Sequence, residues 1–323
     1  MKGEILRLLK NNAPEFISGE LICRQLGVSR AAIWKHISAL RGDGYIIKAQ
    51  TNAGYRLESS PDRLYPEEVR SDLGTTILGR QIHYFDSLGS TNAVAKDLAR
   101  EGCAEGALVL AEEQNGGRGR LGRGWFAPHA RGIWASLVLR PAVSPADVPQ
   151  LTLITAVALA RALRRETLLP VGIKWPNDLL AGGKKICGIL TEMSADMDRV
   201  NYAVVGFGLN VNIRREDFPP ELSTIATSLC IEAGKIFSRL ALLKAILDEL
   251  ENKYLTWLNQ GFAPLLTEWR EMCVTIDCPV TVHTLKERWD GYAEGVNESG
   301  ALLVRTPGGE LRCLIAGEVS LRS

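Results

Sequence analysis

Apolar positions in the first sixty residues fall at helical spacing and then turn to alternation. Ile5, Leu6, Leu8 and Leu9 form one face of an opening helix, the 3.6-residue period marking one buried side. A second short helix is predicted over 19–26 with Ser18 as its cap, because a serine oxygen can accept from a first-turn N–H. Gly27 breaks the pattern, and Ser29 caps a third helix carrying Ile33, Ile37 and Leu40 at i, i+4, i+7. Two short helices around a glycine turn are a helix-turn-helix. Residues 45–49 and 55–57, joined by Thr51-Asn52-Ala53-Gly54, predict a hairpin that would serve as a wing.

Residues 58–66 are polar and proline-punctuated and predict a linker. Beyond it, strands are predicted at 81–85, 107–112, 132–139, 171–175, 189–193 and 202–209, and helices at 90–101 and 149–165. Leu240, Leu243, Leu247, Leu250, Tyr254 and Trp257 trace a long amphipathic helix. The mixture predicts an α+β body in which helices back a mixed sheet. After about Arg270 the texture changes to short alternating segments separated by Asn297-Glu298-Ser299-Gly300 and Pro307-Gly308-Gly309, as in a small β-barrel. The predicted domains are therefore 1–60, 67–270 and 271–323, since a chain of this length exceeds one typical domain.

Charge sharpens the first of these. The whole chain has a formal net charge of +1, so no global field draws it to nucleic acid or membrane. Residues 1–60 nevertheless hold nine Lys/Arg against five Asp/Glu, a surplus of four positive charges. On the third helix Arg30, Trp34 and Arg41 share a face away from the apolar stripe, with Lys35 and Ser38 beside it. Such a helix suits the major groove of DNA; the competing reading is a small three-helix interaction module with a solvated charged face. The seven cysteines make no C-x-x-C pair and the four histidines lie far apart, so neither a zinc site nor a disulfide framework is expected. No signal-peptide core and no apolar run of membrane-spanning length are visible, and a cytoplasmic protein is expected.

The densest chemistry is Gly117-Arg118-Gly119-Arg120-Leu121-Gly122-Arg123-Gly124-Trp125. Glycines allow close backbone approach, and arginines offer planar forks suited to phosphate and carboxylate. The tryptophan adds a flat face, so the segment reads as a loop folding over an anionic, partly aromatic ligand. The glycines at 117, 119 and 122 also fit G-x-G-x-x-G, but that dinucleotide motif must open a helix, and Pro128 follows too closely. A solvated flexible loop is the other bland alternative. Three further clusters stand out. Asp86-Ser87-Leu88-Gly89-Ser90-Thr91-Asn92 ends a strand and begins a helix, where Ser90 would cap. Lys174-Trp175-Pro176-Asn177-Asp178 concentrates charge and amide beside a proline, with an ion pair between Lys174 and Asp178 as its structural alternative. Lys184-Lys185 precedes a buried strand and by itself reads as a solvated turn.

The order and sequences of these clusters closely resemble the biotin protein ligases, specifically the bifunctional form that also represses biotin operons. Residues 18–57 are similar to that family's winged helix-turn-helix, 114–125 to its biotin-and-adenylate loop, 174–178 to its KWPND segment, 185–190 to its K-x-x-G-I-L segment, and 317–323 to its terminal barrel strand. The resemblance implies a class II synthetase-like catalytic domain, a C-terminal SH3-like barrel, and a two-step reaction. The biotin carboxylate attacks the α-phosphate of MgATP to give biotinyl-5′-adenylate and pyrophosphate, and a carrier-domain lysine then attacks the adenylate. Lys185, Arg118 and Asp178 would be catalytic. Ser90, Thr91, Asn92, Gln114, Arg118, Gly119, Arg120 and Lys185 would bind biotin; Arg120, Arg123, Trp125, Asn177 and Asn210 would bind the adenylate. No protein-held metal is implied. Leu121 stands where the best-known family pattern has arginine, which removes one cation from the loop. The implied partners are the biotin carboxyl carrier protein of acetyl-CoA carboxylase, operator DNA and a second copy of the chain, with the adenylate as corepressor. A lipoate-type ligase and a ligand-sensing repressor without ligase activity are the alternatives. A kinase of the G-x-x-x-x-G-K-[ST] type lacks its motif here.

Overall fold

The computed structural model describes residues 1–284, 287–315 and 317–321. The chain divides into two compact units, Met1–Leu73 and Gly74–Ser323.

In the first unit α1 (Lys2–Asn12), α2 (Gly19–Leu26) and α3 (Arg30–Gly42) pack beside the antiparallel pair β1 (Ile46–Gln50) and β2 (Gly54–Ser59). Both predicted serine caps form: Ser18 accepts from Leu21 N at 3.1 Å and Ser29 from Ala32 N at 3.2 Å. Gly27 takes φ 66°, the left-handed turn that reverses the chain between α2 and α3. Ile5, Leu9, Ile22, Ile33, Ile37 and Leu40 are the buried core. The unit extends beyond the expected boundary. After the wing, Leu64 and Val69 are fully buried, Tyr65 stacks on Tyr45 at 6.3 Å, and α4 (Pro66–Arg70) is held by Lys2–Glu67 and Lys10–Glu68 ion pairs. Segment 58–66 was expected to be a linker because its prolines and polar residues hid the single apolar contacts that fasten it.

The second unit is built on a seven-stranded sheet. Its strands are β3 (Ile82–Leu88), β4 (Leu108–Gln114), β5 (Gly132–Leu139), β6 (Gly172–Lys174), β7 (Asp178–Ala181), β8 (Lys184–Ala195) and β9 (Val200–Asn210) in spatial order β3-β4-β5-β9-β8-β7-β6. Only the β3–β4 neighbours are parallel. Gly182 and Gly183, at φ 54° and 76°, make the tight turn between β7 and β8. This hairpin starts β8 well before the expected strand at 189–193. Helix α5 (Thr91–Arg100) follows β3, and α6 (Gln150–Thr167) packs against α8 (Arg239–Gln260) and α9 (Ala263–Met272), with the short α7 (Leu229–Ala233) before them.

Contrary to the sequence expectation, one helical stretch, Pro145–Thr167, is long and apolar enough to cross a membrane by length and composition. Most of it is buried in the protein: Ile154, Val157, Ala158 and Leu159 have no exposure, so its composition answers to packing on several sides.

Two ionic devices tie distant segments together. Arg239 and Glu112, both fully buried, meet at 2.7 Å and join α8 to β4. The Glu251 carboxylate accepts from Thr76 N, Ile77 N and Leu78 N at 2.6, 2.8 and 2.8 Å, fixing the approach to β3.

A second, five-stranded antiparallel sheet follows α9: β10 (Cys278–His283), β11 (Arg288–Val296), β12 (Leu302–Arg305), β13 (Leu311–Leu314) and β14 (Glu318–Leu321), ordered β13-β12-β11-β10-β14. It is the small β domain expected after Arg270. It is docked by Trp175, whose Nε1 donates to Gly300 O at 3.0 Å and whose N donates to Thr275 Oγ1 at 2.9 Å.

Candidate functional site

Residues 114–127 form a hairpin leaving the end of β4. Gln114 N donates to Ala127 O at 3.2 Å, Trp125 N to Gly117 O at 2.9 Å and Gly119 N to Arg123 O at 2.7 Å. Its tip needs two left-handed residues, and Leu121 (φ 55°) and Gly122 (φ 74°) supply them. A leucine there is strained by roughly 1 kcal/mol, and its side chain is 64% exposed. The hairpin lies over the sheet. Arg120 Nη1 donates to Asn177 Oδ1 at 3.1 Å and Nη2 to Gly317 O at 3.0 Å, linking it to the KWPND turn and to the C-terminal sheet domain.

Beneath it is a cavity of ≈ 340 Å³, the size of a small-molecule site. It brings together every residue that the sequence reading assigned to biotin, adenylate or catalysis: Ser90, Thr91, Asn92, Gln114, Arg118, Gly119, Arg120, Arg123, Trp125, Asn177, Asp178, Lys185 and Asn210. One end is polar. Gln114 Oε1 accepts from Thr91 N at 2.8 Å and from Thr91 Oγ1 at 3.1 Å. Asn92 Nδ2 donates to Glu192 Oε2 at 2.9 Å. Ser90 occupies the cap position of α5, but its side chain caps no N–H among the described residues, so simple capping does not account for it. The fully buried Ser136, behind this end, lies 2.8 Å from Thr91 Oγ1 and 2.6 Å from Asn92 Oδ1. The sequence reading passed over it, since it sits in the otherwise apolar strand GIWASLVL.

The floor depends on missing side chains. Gly188 and Gly208 face each other across β8 and β9, and the Trp125 indole rests on both. A Cβ at Gly208 would come within 2.3 Å of Trp125 Nε1. Lys185 Nζ stands 5.2 Å from the centre of a Trp125 ring and 2.6 Å from Asp178 Oδ1. The cation that meets Asp178 is thus Lys185, although Lys174 lies opposite Asp178 in the β6–β7 register. Burial pushes the neighbouring Cys187 thiol far above its usual range, which favours the protonated form. The far end is apolar, with Phe126, Phe218, Leu222 and Ala226; the sequence reading missed this wall because 213–226 carries no periodic signal. Three buried polar atoms here, Trp125 Nε1, Asn210 Oδ1 and Asp178 Oδ1, have no hydrogen-bond partner among the described residues, the last being ion-paired with Lys185. Among those residues no three His, Cys, Asp or Glu side chains cluster as metal ligands would.

In the first unit Arg30, Trp34 and Lys35 are exposed on α3, Trp34 by 64%, and Ser38 is half-buried. Arg41 is exposed as well, but its guanidinium donates twice to Ile47 O, at 3.0 and 2.6 Å.

Three family models match the chain in succession: an HTH domain over 3–56, the Biotin/lipoate A/B protein ligase family over 84–210 and a Biotin protein ligase C terminal domain over 275–322. The Bifunctional ligase/repressor BirA of Bacillus subtilis is 40% identical over 306 residues, spanning 95% of this chain and 94% of its own. The chain belongs to the biotin protein ligase family. Another bifunctional ligase/repressor BirA, from Escherichia coli K12, is 32% identical over 99% of this chain and 97% of its own. The structure of a biotin protein ligase from Aquifex aeolicus in complex with biotin and ATP aligns with a TM-score of 0.65 at 27% identity, covering 75% of this chain and 99% of that one. In this family member, then, the three matched regions coincide with the winged unit, the seven-stranded sheet and the C-terminal sheet.

Proposed function

We propose that this chain joins biotin to ATP as biotinyl-5′-adenylate, passes biotin to a lysine of the biotin carboxyl carrier protein, and represses transcription when the adenylate is bound. The observation that carries the reading is the cationic hairpin lying over one cavity with a polar end, a central lysine and an apolar wall. A ureido ring needs both donors and acceptors, and the Thr91–Asn92–Gln114 end offers them. A dithiolane ring would leave those groups unpaired, which disfavours lipoate.

Attack of a carboxylate on a phosphate is opposed by charge, and fixed cations offset that repulsion where it develops. Lys185, Arg118, Arg120 and Arg123 line the same cavity. Lys185 leaves Asp178 for the arriving anions, and the freed Asp178 carboxylate accepts the proton of the incoming lysine ammonium, since only a neutral amine attacks. Phe218 and Leu222 take the adenine, Asn210 and Asn177 its polar edges, and the hairpin excludes water that would hydrolyse the adenylate. Mg²⁺ enters with ATP as part of the substrate. The test is direct: purified chain, labelled biotin, MgATP and a carrier domain should yield labelled carrier, and no transfer in the complete mixture sinks the reading.

For repression, the α3 face of the exposed Arg30, Trp34 and Lys35 with the half-buried Ser38 enters the major groove, and the adenylate acts as corepressor by favouring a homodimer in the cytoplasm. Operator affinity should rise with biotin plus ATP and fall with salt. A gel shift indifferent to both ligands counts against the coupling.

A further inference from the structure

The winged unit contains five aromatic residues, and four of them are engaged within the unit. Tyr45 and Tyr65 stack on each other, Tyr55 packs against the apolar core, and the Phe16 ring lies 4.7 Å from the Arg56 guanidinium. Trp34 is the fifth. Its side chain is 64% exposed, more than any other large apolar side chain of that unit, and it makes no hydrogen bond or ring contact among the described residues. Its neighbours on α3 let the ring protrude. Ala31 precedes it by three residues and Ser38 follows by four, the spacings that share a helix face, and both are small. Trp34 is the fifth residue of α3, within the N-terminal part of a recognition helix that meets base edges.

An indole has one N–H donor, no acceptor and a broad apolar face. It cannot match the paired contacts by which Arg, Asn or Gln read guanine and adenine. The apolar group that the major groove displays is the 5-methyl of thymine, and covering it with a ring removes apolar surface from water. We propose that Trp34 is a specificity-determining residue that reads thymine methyl groups in the operator, while Lys35 beside it contacts phosphate whatever the sequence. The inference rests on the repressor reading above and names the chemical feature of the DNA that the exposed ring recognises.

The probe is a duplex that the full-length chain, with biotin and MgATP present, selects from a random pool of synthetic DNA. Its comparison is the same duplex made with deoxyuridine for thymidine, which lacks only the methyl groups. Binding of the parent should weaken about fourfold for each methyl that the indole covers, and roughly fifteenfold where two half-sites are read. Trp34→Ala should bind the thymine duplex at least about tenfold more weakly and should no longer distinguish the two duplexes. Lys35→Ala should bind both more weakly and distinguish them as the parent does. A parent indifferent to the methyl groups, an equal penalty in Trp34→Ala, or a penalty that Lys35→Ala also abolishes overturns the inference. If Trp34→Ala does not fold, Trp34→Gln, a good helix former without the flat apolar face, takes its place. Should the parent select no sequence with both ligands present, the repressor reading itself fails, which keeps the two failures apart.

Discussion

Lys185 Nζ and Asp178 Oδ1 are 2.6 Å apart on the adjacent strands β8 and β7. Each residue holds the other ready, and each should fail in a different step. Lys185→Ala should lower pyrophosphate exchange by roughly 10²–10³, the range for removing one group that stabilises developing charge. Asp178→Asn should spare exchange and slow transfer of biotin from preformed adenylate to the carrier. Full exchange in the lysine variant removes Lys185 from the first step.

Arg120 fastens the hairpin at two places, Asn177 Oδ1 and Gly317 O. Hydrogen bonds to charged groups contribute about 1.5–3 kcal/mol each, so Arg120→Ala should release bound adenylate at least roughly tenfold faster. Filtration of the labelled complex over time measures this. Arg118→Gly, which removes a cavity-lining cation, should impair formation or holding of the adenylate in the same assays.

Gly208→Ala places a methyl group against the indole of Trp125. The ring must leave the floor, so the expected result is a change in tryptophan emission together with a raised KM for ATP. Unaltered emission and kinetics would mean that the floor yields instead.

Glu251 should matter for stability and not for chemistry. Burial raises its pKa, but the backbone N–H groups of Thr76, Leu78 and Ile77 overcome this and lower it. A carboxyl with a depressed folded value stabilises fully above its unfolded pKa of about 4.3 and loses that contribution as pH falls through the folded value. Glu251→Gln should therefore be about 1–3 kcal/mol less stable near neutrality, and the gap should narrow as pH falls from the unfolded value through the lower folded one in paired denaturation curves.

Arg41 and Lys35 share α3 but not a task. Arg41→Ala breaks both bonds to Ile47 O and should lower the melting temperature of the winged unit. Lys35→Ala should leave it unchanged while reducing the salt slope of operator binding by about one.

Much of this was legible beforehand because the decisive signals are local. The caps at Ser18 and Ser29 and the turns at Gly27 and Gly54 carry their physics within a few residues and took the predicted form, whereas Ser90, also expected to cap, does not among the described residues. What escaped notice depends on distance along the chain. Ser136 reaches the site because β5 lies between β4 and β9, and nothing in its own strand marks it. Glu112 and Arg239 look like ordinary surface charges until the fold buries them together. Leu64 and Val69 were hidden among prolines, and the Asp178–Lys185 pair arises from a glycine hairpin whose second strand was expected to begin later.

The clasp between Arg120 and Gly317 also fixes an order of events during translation. A ribosome builds the hairpin first and its fastening point almost two hundred positions later, at 317. A half-made polypeptide therefore owns the cradle without that lock until the terminal sheet has emerged.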